Sequence, residues 1–437
     1  MIDAIVSARD MDGDQASDAD ASPPAGATAQ PFDDAARALT AATVRWCRLR
    51  DRGASSEDDL LVDPADLSTA RRALADAGWR ERRHPGHGSH RAFHHFDPTT
   101  GRWSKLDVVT ALDFGRWQEW SSGLAAGCLA RSREDGGGRS LAEDDAFWTL
   151  FLHEILDRPG TAPRRIDRLR QLAAGAHDDG PPALAIGRWL PRGWTSASVI
   201  AAAEAGEPEA LVRLGNALSR RLGRRPGAVA RRMVARFLRW LDHRDPPFVR
   251  AGRTVAMLGP DGAGKSALVG LVGAGGPMPV RSVYLGLYGG SRARQRARGL
   301  PGVGLARRLT AMWRGWLIGW WHARRGRLVL FDRHPYDARL DDARTQSLVG
   351  RMRRAVLGHA LPAPDAVIIL DAPADVLYER KPEHPLDRIE TQRRRYLALS
   401  AELAGARVVD ASAPLDEVAR TITAIAWSGV DQRQEAR

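Results

Sequence analysis

Eight consecutive residues, Gly259-Pro260-Asp261-Gly262-Ala263-Gly264-Lys265-Ser266, constrain this chain more than any other segment. They fit the pattern Gly-x-x-x-x-Gly-Lys-Ser, with an apolar run (Thr254 to Leu258) before them and a helical pattern after. Between a strand and a helix, such glycines let backbone N–H groups converge on a phosphate where peptide dipoles favour an anion. The lysine then neutralises the outer phosphates, and the serine hydroxyl holds Mg²⁺. Lysine is scarce here: of 65 basic residues only Lys105, Lys265 and Lys381 are not arginine. A retained lysine marks a place where a compact ammonium is needed and a guanidinium does not substitute.

A length of 437 residues accommodates two or three domains, and 43% hydrophobic content is that of a globular protein. The net charge of +12 comes from arginines dispersed among 53 acids, which argues against a nucleic-acid partner. Cys47 and Cys128 have no metal-ligand spacing, so a reducing, cytoplasmic setting is expected. Leu309 to Trp321 is apolar but broken by Arg314 and too short to span a bilayer, so no membrane partner is expected. A homodimer stays open.

Residues 1–32, rich in Asp, Ala, Gly and Pro, are expected to be disordered. Residues 33–125 read as a small α/β domain, with strands near Val44 to Leu49, Leu60 to Val62, Ala92 to Phe96 and Ser104 to Val109. Residues 126–247 read as helical. In residues 248–430, strands at Thr254 to Leu258, Val280 to Tyr284, Leu328 to Phe331, Ala366 to Leu370 and Arg407 to Val409 alternate with helices. That alternation predicts a three-layer α/β/α fold on a parallel sheet. Trp313, Trp316, Trp320 and Trp321 have helical spacing and read as a core or interdomain stripe.

Asp332 and Asp371 each end an apolar strand, and ligands of open parallel sheets bind beyond the carboxyl ends of strands. Ser266, Asp332 and Asp371 are therefore the candidate Mg²⁺ ligands. Arg333 is suited to bidentate phosphate contact. Arg380, Lys381, Arg388 and Arg393 to Arg395 form a basic segment able to close over phosphates, or a solvated basic helix.

Together these residues resemble the thymidylate kinase family of nucleoside monophosphate kinases. Gly259-x-Asp261-Gly262-x-Gly264-Lys265-Ser266 is similar to that family's phosphate loop, Asp332-Arg333 to its Asp-Arg motif, and Leu370 to Pro373 with Glu379-Arg380 to the approach to its lid. The resemblance covers about residues 252–428. It implies a P-loop NTPase fold and ATP with Mg²⁺. It also implies transfer of the γ-phosphoryl group to a nucleoside monophosphate or related phosphorylated small molecule. In that reading Lys265, Asp332, Arg333, Arg380 and Lys381 act in catalysis, while Gly259 to Ser266 and Arg388 bind the nucleotide. Where the family has an Arg-Glu-Pro-Gly-Gly-type segment, this chain has Tyr284 to Gly290, so the acceptor stays open. A regulatory protein that hydrolyses ATP slowly, without an acceptor, is the alternative.

A second set of acids precedes and flanks short apolar strands near the N-terminus. Glu57 and Asp59 point to one side of an extended chain, and Asp107 can approach from a neighbouring strand. Three convergent carboxylates suit a two-metal nucleotidyl-transfer site. The set resembles the nucleotidyltransferase superfamily related to polymerase β, with Glu57-x-Asp59 in place of its Asp-x-Asp pair and Asp107 as third acid. That implies a nucleotidyltransferase-like fold for residues 33–125, with or without catalysis. His84, His87, His90, His94 and His95 leave metal ligation or phosphate contact open.

Overall fold

The computed structural model describes residues 30–50, 57–135, 138–158, 160, 163–244, 246–247, 249–285, 303–340 and 347–430. The disorder expected of residues 1–29 and the segment beyond Leu285 lie outside the described residues.

Helix α1 (Gln30–Ala41) precedes β1 (Trp46–Arg48), β2 (Glu57–Val62), α2 (Leu67–Asp76), β3 (Arg80–Arg82), β4 (Arg91–Asp97) and β5 (Arg102–Val109). It begins inside the segment expected to be disordered, because Phe32 and Leu39 are buried against the sheet. A small ribbon of β6 (Asp113–Phe114) and β7 (Trp120–Ser121) follows, then α3 (Ala125–Arg131) and the hairpin β8 (Arg133–Asp135) and β9 (Gly138–Ser140). The sheet order is β3-β4-β5-β2-β1-β9-β8, so two strands beyond residue 125 join the N-terminal sheet. Only β2 with β5 and β1 with β9 run parallel.

Side-chain alternation along these strands feeds two cores. Leu60, Val62, Leu106 and Val108 meet α1 and α2, while Cys47, Leu61 and Val109 face the other way. That second core is completed by α4 (Glu143–Leu156), α5 (Ile166–Ala173), α6 (Pro181–Gly187), α7 (Ser196–Ala205) and α8 (Pro208–Gly223). Helix α9 (Pro226–Asp242) leads out of the helical region.

The C-terminal unit comprises β10 (Arg253–Leu258), α10 (Lys265–Leu268), β11 (Val280–Tyr284), α11 (Val303–Arg324), β12 (Leu328–Asp332), α12 (Leu348–Gly358), β13 (Ala366–Asp371), α13 (Ala374–Arg380), α14 (Leu386–Glu402), β14 (Ala406–Asp410) and α15 (Leu415–Ser428). Its five strands are all parallel, in the order β11-β12-β10-β13-β14. Val255, Met257, Leu330 and Ile368 pack with α15 on one face. Ala256, Val329 and Phe331 pack toward α11 and α12 on the other, and Leu258, Val367 and Ile369 toward α14. The expected three-layer arrangement of the described C-terminal residues is therefore present. The four tryptophans of α11 do not form one buried stripe: Trp316 is partly buried in the core, whereas Trp313 and Trp321 are exposed.

The N-terminal sheet is joined to this unit through buried contacts. Arg82 donates to Ala251 O at 2.7 Å and to Gly326 O at 2.9 Å. Phe96 enters the C-terminal core, and the Trp103 ring meets Trp427 edge-on with centroids 4.9 Å apart. Replacing a buried aromatic by alanine costs about 3–5 kcal/mol. Trp427→Ala is expected to lower the denaturation midpoint of the C-terminal unit and to loosen its junction with the sheet, as read by urea unfolding and limited proteolysis.

Candidate functional site

The phosphate-loop segment leaves β10, which pairs with β12 on one side and β13 on the other. This is the switch point of the sheet, where the strand order reverses and a crevice opens at the carboxyl ends. Gly259 has φ +145° and Gly262 has φ +89°; a Cβ at these positions would lie 2.6 Å from Leu370 O and 2.7 Å from Leu377 O. Backbone alone fits there. Helix α10 is a single turn and the chain turns away at Gly273 (φ +71°), so the loop's own amides outweigh any helix dipole in receiving an anion.

Lys265 is buried, and its Nζ donates to Gly259 O at 2.8 Å and Pro260 O at 2.7 Å. Burial first, and then the Arg333 charge, push its pKa down to about 8, against the pull of Asp261, Asp337 and Asp332. Ser266, the next residue, is exposed.

Asp332 closes β12 in register with Met257 of β10, and its carbonyl accepts from Leu285 N at 3.1 Å. Arg333 follows with φ +66°, a conformation that costs a non-glycine residue about 1–3 kcal/mol. Its Nη2 donates to Asp261 Oδ1 at 2.5 Å, and its Nη1 lies 3.7 Å from Asp337 Oδ2. Asp261 is held below the ordinary carboxylate range against its burial, first by Arg333, then by Lys265 and Lys381. The structure thus brings Gly259 to Ser266, Asp332, Arg333 and the Lys381 charge to one end of the sheet.

Other residues singled out from sequence are placed differently. Asp371 is gripped by Arg393, with Nε to Oδ1 at 2.7 Å and Nη2 to Oδ2 at 3.0 Å. Each oxygen of Asp371 thus accepts one hydrogen bond from α14 and keeps a further lone pair. Arg380 donates to Ala411 O at 2.6 Å, fastening α13 to the segment after β14. Lys381 pairs with Glu383 at 3.2 Å, and Arg388 is exposed in the first turn of α14. Sequence did not single out Asp337 and Tyr396, and it offered Arg393 only as part of the basic segment. The only signals were the spacing of four from Arg333 to Asp337 and of three from Arg393 to Tyr396.

In the N-terminal sheet Asp59 and Asp107 are register partners on the parallel strands β2 and β5, so they share a face. Each has its own cation: Arg50 lies 3.1 Å from Asp59, and Lys105 lies 2.9 Å from Asp107. The side chain of Glu57 lies outside the described residues. A cavity of about 560 Å³ opens between this sheet and α4 and α5, lined in part by Arg48, Arg50, Asp58, Asp59, Arg165 and Arg168. Among the described residues no group of three or more His, Cys, Asp and Glu side chains is placed to hold a metal ion. Two of the histidines pack on tryptophans: His94 meets Trp427 and His95 meets Trp79, and burial lowers both pKa values, that of His94 to about 4.

No family model matches the chain, and no curated protein matches it. A solved structure of thymidylate kinase from Candida albicans is similar at 15% identity and a TM-score of 0.29, over 43% of this chain and 94% of that one. A likeness that weak carries no argument for fold or activity. Among the described residues no helix is long and apolar enough to cross a membrane.

The buried ammonium has a measurable consequence. The unfolded chain keeps this proton to an ordinary pKa near 10.5, the folded chain only to about 8. Between those values the unfolded state binds more protons, so stability rises with pH. The urea midpoint of the parent chain is expected to gain a component across that window that Lys265→Met lacks.

Proposed function

We propose that the C-terminal unit is an ATP-dependent phosphotransferase, passing the γ-phosphoryl group of MgATP to a nucleoside monophosphate or a related phosphorylated small molecule. The observation that carries this reading is the glycine cradle at the switch point, with Lys265 buried beneath it and Arg333 across from it on β12's end. A side chain at Gly259 or Gly262 would fill the cradle, and the exposed Ser266 hydroxyl at the loop's end and the Asp332 carboxylate at the end of β12 are oxygen donors of the kind Mg²⁺ takes. The residues present fit the group.

Bound MgATP supplies the phosphoryl group and the charge of the metal. The protein's part is positioning and electrostatics. Lys265 exchanges its two loop carbonyls for phosphate oxygens, which relieves an ammonium held away from water by burial. Ser266 and Asp332 orient the metal. Asp261 and Arg333, joined to each other here, separate to take the acceptor's sugar and phosphate. Lys381 and Arg388 stand at the start of the segment that closes over the site and excludes water.

A second reading concerns the N-terminal unit: nucleotidyl transfer in the cavity beside Asp59. The cavity and its arginines favour it.

Lys265→Ala is expected to lower acceptor-dependent ADP release at least about a hundredfold, the scale of losing one preorganised cation in a transition state. Unchanged ATP affinity and turnover would refute the kinase reading. A panel of nucleoside monophosphates and sugar phosphates should contain an acceptor that stimulates ADP release. If none does, slow nucleotide-gated hydrolysis is the better description. Pyrophosphate release from nucleoside triphosphates that vanishes in Asp59→Ala, but not in Lys265→Ala, is the outcome expected of the N-terminal reading.

A further inference from the structure

Arg333 has two carboxylate neighbours, and they differ in kind. Asp261 lies on the loop and meets Nη2 directly. Asp337, in the short turn Pro335–Arg339, faces Nη1 and keeps only 12% of its side chain exposed. A guanidinium presents several donors along separate edges, so one edge can be held while another is handed to a ligand. Asp337 is in turn held: Tyr396, itself buried, donates its hydroxyl to Asp337 Oδ1 at 3.0 Å. Tyr396 belongs to α14, and Arg393, one turn earlier on the same helix, is the residue that grips Asp371. One face of α14 is therefore fastened both to the end of β13 and to the turn that follows β12.

We propose that Asp337 and Tyr396 are positioning residues that keep the Arg333 guanidinium aimed into the acceptor end of the site when an incoming phosphate displaces Asp261, and that they tie this arginine to α14. The proposal rests on the phosphotransferase reading for the nature of the ligand. Asp337 does not touch the ligand; it retains the Nη1 edge, so that Arg333 does not swing away once its Nη2 edge is freed. The left-handed backbone of Arg333 needs such an external hold, because an unrestrained arginine relaxes to a negative φ. Tyr396 supplies the donor that an ionised Asp337 requires in an enclosed place. The groups facing Asp337 are Arg333, Tyr396, Lys265 and Asp261; burial raises its pKa, and Arg333, Tyr396 and Lys265 work against that rise. Helix α14 also begins just after the basic segment around Lys381, so movement of that segment and the aim of Arg333 share one rigid element.

The test uses the full chain saturated with non-hydrolysable adenylyl imidodiphosphate and Mg²⁺, with inorganic phosphate as the probe, titrated calorimetrically. Asp337→Asn and Tyr396→Phe are each expected to weaken phosphate binding about five- to tenfold, and Tyr396→Phe, which removes no charge, to leave the nucleotide affinity near that of the parent. The double variant should be no worse than the weaker single one, because the two residues act as a unit. In Tyr396→Phe the loss of phosphate affinity toward acid should set in at higher pH, since Asp337 then takes up its proton more readily. Phosphate binding that is unchanged in both variants, with Arg333→Ala abolishing it, overturns the positioning role and leaves the kinase reading intact. A parent chain that binds the nucleotide but no phosphate overturns the proposal from the other side, because Arg333 is then no anion site. Failure of the kinase reading is registered separately, by the Lys265→Ala comparison.

Discussion

Strand β10 is enclosed on every side. Its residues are buried on both faces, and its two edges are hydrogen-bonded to β12 and β13. A strand so confined cannot slip by one residue without turning its apolar side chains into the wrong core. The end of β10 therefore fixes where the glycine loop starts, and the loop's geometry follows from that. The same register sets Asp332 beside Met257, next to the loop, and leaves Arg333 as the first residue beyond the sheet. Close approach of the loop to the carbonyls of Leu370 and Leu377 then depends on β13 and α13 being equally immobile.

Charge at this end of the sheet is arranged as an alternation. Lys265 and Arg333 are cations in partly enclosed places, and Asp261, Asp332 and Asp337 surround them. No single pair is self-sufficient: Arg333 raises the cost of keeping Lys265 charged, while Asp261 and Asp337 lower it. A site built this way is held together without a ligand by its own ions, and a polyanion can take the place of the acids. The ammonium of Lys265 rests on two carbonyls of its own loop, whereas Arg333 rests on carboxylates.

Much of the C-terminal architecture was legible because it is local. Continuous apolar runs bounded by turn residues marked β10, β12 and β13, and carboxylates at the ends of β12 and β13 marked the crevice. The loop motif was legible because glycine is needed wherever backbone approaches backbone. What sequence did not disclose is what long-range contact decides. Arg393 reaches Asp371 across 22 positions and Tyr396 reaches Asp337 across 59, and neither spacing has a local signature. The basic segment read as one closing unit is divided by its contacts: Arg380 is spent on Ala411, Arg393 on Asp371, and Lys381 on its neighbour Glu383. The tryptophans of α11 had the right period for a buried stripe, but a helix on the outer layer of a three-layer fold buries only one side. In the N-terminal sheet, Asp107 was expected to approach Asp59 from a neighbouring strand and is its register partner, whereas the arginines lining the cavity come from β1, β8, α5 and the segments beside them, which pattern alone does not bring together.

Arg82 gives the junction between the two units its character. Its guanidinium is buried, its pKa is driven down to about 10 mainly by that burial, and it serves the carbonyls of Ala251 and Gly326, the residues that lead into β10 and β12. A charge taken that far from water is tolerable only while those acceptors are in place. The carbonyl of Gly326 is likewise shut away from water and depends on this donor. Each unit thus completes polar groups of the other at this seam. A fragment cut before Ala251 would carry away the donor that completes the entrance to the two central strands, and it would bare the Trp427 surface at the same stroke.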